Sequence, residues 1–105
     1  MHEIAYAEGI LDVALRVSNG QHVRRIQVRI GDFYAIVADS LQFAFDLAGQ
    51  DSAAAGAHLD VVSVPGDTFQ VDALQLDAGW LRRPEPDDTL SDVAREHMHE
   101  HVLEA

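Results

Sequence analysis

The run Val23-Arg24-Arg25-Ile26-Gln27-Val28-Arg29-Ile30-Gly31-Asp32 alternates with a period of two. Ile26, Val28 and Ile30 fall on one side, Arg25, Gln27 and Arg29 on the other. Successive side chains of a strand leave on opposite faces, so this pattern predicts a half-buried strand from Val23 to Ile30 that Gly31-Asp32 closes. Upstream the period changes. Ala7, Ile10, Leu11, Ala14, Leu15 and Val17 recur at three and four residues, which predicts an amphipathic helix over residues 5–18. Asn19-Gly20 stops it, since both residues tolerate the left-handed conformation of a helix C-cap.

Downstream, Asp39 and Ser40 are good N-caps for a second helix carrying Leu41, Ala44, Phe45 and Ala48 on one face, widened by Phe43 and Leu47. Gly49 and the small, polar run 50–56 read as a loop. His58 to Val64 and Phe69 to Leu76 read as two strands around the turn Pro65-Gly66-Asp67-Thr68. The second of them alternates as Phe69, Val71 and Ala73 and then shifts to Leu74 and Leu76, and a bulge around Ala73-Leu74 would reconcile the two registers. Residues 77–86 contain Pro84 and Pro86 and read as a loop or linker. Asp87-Asp88-Thr89, followed by Ser91 and Asp92, predicts a third helix over residues 87–105. The expected architecture is α+β: a small three-stranded sheet with two helices on one face, plus an added C-terminal helix.

The chain has 105 residues, 18 of them acidic and 7 basic, for a net charge of −11. That length suits one domain, and 48% hydrophobic residues supply its core. Without cysteine there are no disulfides, thiolate metal sites or cysteine nucleophiles. Residues 32–81 hold eight acids and no lysine or arginine, which disfavours nucleic acid and suits a metal cation or a basic partner protein. Arg24, Arg25 and Arg29 could form a small basic edge, as ordinary strands with one wet face also do. No secretory signal or bilayer-length apolar run is visible, so a cytoplasmic location without membrane contact is expected.

Phosphate loops, nucleophile elbows and zinc-protease helices are absent from the sequence, so no catalytic residues are assigned and no enzyme activity is expected. Two features remain. Met1-His2-Glu3 can offer a terminal amine, amide nitrogens and an imidazole, whose fused chelate rings favour square-planar nickel(II) or copper(II). The bulky His2 is expected to keep Met1 in place, and Glu3 can add its amide nitrogen or carboxylate. The same triplet also reads as an ordinary frayed terminus. In the tail, His97 and His101 lie one turn apart on a helix with Glu104 beside them, a set able to hold a second divalent ion. Leu90, Val93 and Ala94 share that face, so the histidines equally read as the rim of a packing interface.

In order along the chain come Met1-His2-Glu3, Ala7-Glu8-Gly9-Ile10, Val28-Arg29-Ile30-Gly31-Asp32, Ser40-Leu41-Gln42-Phe43-Ala44-Phe45, Ala57-His58-Leu59 and Val64-Pro65-Gly66. This series resembles HypA, the nickel metallochaperone family of [NiFe]-hydrogenase maturation. The resemblance covers residues 1–76, and it implies a nickel-binding domain there, with Ni(II) held at Met1, His2 and Glu3. It implies as partners a HypB-like GTPase and the hydrogenase large subunit. Some members carry a further acidic ligand three residues before the first leucine of the second helix. Ala38 occupies that place here, with Asp39 beside it. Typical members also insert two CxxC pairs after the Val-Pro-Gly region. This chain turns back instead, so no zinc is expected. The functional readings are a zinc-less nickel carrier, a HypA-like adaptor that kept the fold and partner surface without the metal, and a homo-oligomeric nickel store or sensor, as in a homodimer using the tail histidines.

Overall fold

Strand β1 (Val23–Gly31) is the centre of the molecule, with β2 (His58–Val64) on one side and β3 (Phe69–Leu76) on the other. The computed structural model describes residues 3–82. Helix α1 (Glu3–Ser18) precedes β1; a short 3₁₀ turn (Asp32–Tyr34) and helix α2 (Ala38–Ala48) follow it. A fourth strand, β4 (Gly79–Arg82), pairs with β3 and completes the order β2-β1-β3-β4. The sheet is mixed. β1 and β2 run parallel, joined by the α2 crossover that a parallel pair requires, while β1–β3 and β3–β4 are antiparallel.

The alternation in β1 is realised as expected. Ile26, Val28 and Ile30 are buried against the helices, and Arg25, Gln27 and Arg29 line the open face. Both helices cover the same side of the sheet. α1 contributes Tyr6, Ala7, Ile10, Val13 and Ala14 to the core and α2 contributes Leu41, Ala44 and Phe45. Asn19 and Gly20 both adopt positive φ at the end of α1.

Four expectations need correction. The sheet has four strands, not three, because Gly79–Arg82 forms an edge strand where a loop was read. Asp77-Ala78 is a two-residue hairpin connection, and four residues suffice to pair with an existing strand edge. The second helix begins at Ala38 with Val37 as its N-cap, so neither Asp39 nor Ser40 caps it. Asp39 sits in the first turn instead, where its charge favours the positive end of the helix dipole. Phe43 and Leu47 do not widen the buried face: they are 68% and 50% exposed. Finally, Pro65–Thr68 does not join two paired strands. β2 and β3 flank β1, so this segment crosses over the end of β1.

That crossover is pinned at close quarters. Gly31 N–H donates to Thr68 O (2.6 Å), Phe33 N–H to Gly66 O (3.0 Å), and Gly66 N–H to Asp32 Oδ1 (3.0 Å). Tyr34 Oη donates to Asp67 O at 2.6 Å, while its ring packs on Tyr6 and Phe69. The β3 register slips at Asp72, one residue before the expected bulge, and β1 carries a second bulge at Arg24. The third helix expected over residues 87–105 lies outside the described residues.

Candidate metal centre at the first turns of the two helices

Met1 and His2 lie outside the described residues, as do His97, His101 and Glu104. Glu3, the third residue of the N-terminal triplet, opens α1 and is half-buried. Its Oε2 is shielded from solvent and has no hydrogen-bond partner among the described residues. A carboxylate oxygen shielded from water and without a donor gives up its hydration and gains no bond in return. One turn along, burial and then the nearby Glu3 charge push the Tyr6 phenol above its ordinary pKa. Both effects disfavour a second negative charge beside Glu3.

Glu3 also lines a cavity of about 500 Å³ between α1 and α2, together with Asp39 and Ser40 from the first turn of α2. Two helix N-termini, each with an acidic residue, therefore open onto one space. The floor is apolar, formed by Ile4, Phe43, Ala44 and Leu47. This juxtaposition was not legible from sequence, because Glu3 and Asp39 meet only through the packing of α1 on α2. Among the described residues, no three His, Cys, Asp or Glu side chains gather closely enough to hold a metal ion. The described residues thus supply one carboxylate donor and a second across the cavity, and the remaining donors of the expected set belong to Met1 and His2.

The two described histidines, His22 and His58, lie away from this cavity. His22 faces Asp77 at 3.4 Å and His58 faces Asp60 at 3.4 Å. The arginines of the suspected basic edge are each bridged to a carboxylate: Arg24 to Asp77 (3.2 Å), Arg25 to Asp60 (3.2 Å) and Arg29 to Asp72 (3.0 Å). Among the described residues, no helix is long and apolar enough to cross a membrane.

The family model described as "Hydrogenase/urease nickel incorporation, metallochaperone, hypA" matches residues 1–83. The chain belongs to the HypA family. Its match includes the N-terminal triplet, both helices and all four strands. The hydrogenase maturation factor HypA of Trichormus variabilis is 33% identical over 66 residues, 63% of this chain and 58% of that protein. The factor of the same name from Alkalilimnicola ehrlichii is 33% identical over 72 residues, 66% of this chain and 64% of that protein. That of Acidithiobacillus ferrooxidans is 35% identical over the same length. This HypA chain therefore spans about 58–64% of the length of these curated relatives.

Proposed function

We propose that this chain is a zinc-less nickel carrier that binds Ni(II) as cargo at Met1, His2 and Glu3 and assists its insertion during [NiFe]-hydrogenase maturation. The observation that carries the reading is the buried Glu3 Oε2 at the foot of the triplet, unpaired among the described residues. Family membership supports it, since the family's description is nickel incorporation. The chemistry is delivery rather than catalysis. The Met1 amine, backbone amide nitrogens and the His2 imidazole would supply nitrogen donors, and Glu3 would add a carboxylate with one oxygen already shielded from water. A HypB-like GTPase and the hydrogenase large subunit are the partners this role calls for. Protons compete for the amine and the imidazole, so nickel should be released as pH falls.

The adaptor reading, in which the chain keeps the fold but carries no metal, draws on the exposed Phe43 and Leu47. Nickel titration of the parent, of Glu3→Gln and of a form extended before Met1 separates the two. The carrier reading expects tight binding by the parent, weaker binding by Glu3→Gln and loss of most affinity in the extended form. Equal binding by all three would remove the site from the N-terminus. No binding by any would leave the adaptor.

A further inference from the structure

The outer groove between α1 and α2 is an exposed surface lined mainly by apolar side chains. Phe43, Leu47 and Ile4 are 68%, 50% and 44% exposed and lie together in it. A second cavity of about 490 Å³ shares Ile4 and Leu47 with the first and extends along α1 past Leu11 to Leu15. From Glu3 to Leu15 the groove follows α1 for about 18 Å at 1.5 Å per residue, room for about three turns of a third helix. Its lining carries four carboxylates: Glu3 and Asp39 at one end, Glu8 and Asp12 farther along. Among the described residues, Asp12 is the one of the four in an ion pair, with Arg16 at 3.1 Å.

Charge selects among the occupants. A second copy docking by the same face would set these carboxylates against themselves. Residues 83–105 of this chain hold seven acids and only two arginines, and so bring the same sign of charge. A basic segment finds both its apolar and its charged complement. We propose that this groove is the docking site for a lysine- or arginine-rich amphipathic helix of a partner protein, seated on Phe43, Leu47 and Ile4 and flanked by Glu8 and Asp39. Glu3 lies at one end of the groove, so a docked helix would cover the proposed nickel ligand. The docking itself does not depend on nickel.

The test uses the full chain, metal-free, and three synthetic peptides of about 14 residues: an amphipathic Leu–Lys helix, its Leu–Glu counterpart, and a scrambled Leu–Lys isomer of the same composition without an apolar stripe. The Leu–Lys helix should bind, shifting amide resonances of α1 and α2, and should weaken as salt rises. The Leu–Glu helix and the scrambled isomer should bind at least tenfold more weakly. Phe43→Ser and Leu47→Ser should each cost the Leu–Lys helix about tenfold, with the thermal midpoint unchanged. Equal binding of the scrambled isomer, shifts centred on another face, or no effect of either substitution would overturn the proposal. So would a parent dimer that Phe43→Ser dissociates, or a large fall in midpoint on Phe43→Ser, because each means this chain already covers the groove itself.

Discussion

Replacing Gly31 by alanine should be among the most damaging single-methyl additions this fold can suffer. A Cβ there would stand 2.1 Å from Gly66 O, 2.5 Å from Gly66 C and 2.8 Å from Asp67 N, all backbone atoms. Ordinary contact begins at 3.4 Å, so the crossover must retreat by 3.4 − 2.1 = 1.3 Å. A retreat of that size breaks the bonds that pin it: Gly31 N–H to Thr68 O, Phe33 N–H to Gly66 O, Gly66 N–H to Asp32 Oδ1 and Tyr34 Oη to Asp67 O. At about 0.5–1.5 kcal/mol net for each bond, losing most of them costs about 3 kcal/mol. For a domain of this size that lowers the thermal midpoint by more than about 12 °C. Gly66→Ala is the control. Its Cβ would meet nothing within 4 Å, although its φ of +97° is strained for alanine. About 1 kcal/mol is expected there. Urea unfolding of both variants gives the comparison. A Gly31→Ala cost below about 1 kcal/mol, or one no larger than that of Gly66→Ala, refutes the steric account of the crossover.

Gln42 bonds the exposed edge of the sheet with both ends of its amide, Nε2 to Ala57 O (3.1 Å) and Oε1 from Leu59 N–H (2.8 Å), so Gln42→Ala should cost about 1–3 kcal/mol in urea unfolding. The hydrogen bonds from His22 and then Arg24 hold the Asp77 carboxyl below its ordinary pKa. A depressed carboxylate pKa contributes stability above the unfolded value and loses it as pH falls through the folded one, so the effect belongs to acid below the usual carboxylate range. An NMR titration of the His22→Ala, Arg24→Gln double variant should show the Asp77 midpoint move upward. Because the core is formed by apolar residues from both helices and the sheet, a chelator should leave the thermal midpoint within about a degree of its starting value, and a cooperative loss of structure would falsify metal-free folding.

Much of this fold was legible because it is punctuated. β2 and β3 begin and end where sequence places them, since β-branched and alternating runs are bounded by Gly56, Pro65-Gly66 and Asp77. What escaped was pairing. Pro65-Gly66 announces a turn but not whether the strands it joins touch, and the clue lay at Gly31, where a partner backbone approaches too closely for any side chain. β4 escaped because Trp80-Leu81-Arg82 runs toward Pro84 and is too short to show a period. α2 was misread at its start for a physical reason: Asp39 and Ser40 are good caps, yet they also suit the first turn, and Val37 caps the helix with its carbonyl alone. At the site, the triplet is local and Glu3 could be named from sequence. Its neighbour Asp39 across the cavity and the outward turn of Phe43 come only from how α1 lies on α2.

The central claim is that nickel is held at the N-terminal triplet, and calorimetric titration of the metal-free chain beside His2→Ala tests it most directly. One nickel equivalent should bind the parent, more weakly as pH falls, and His2→Ala should lose most of that affinity while its unfolding midpoint stays the same. Nickel bound as tightly by His2→Ala as by the parent would contradict the claim.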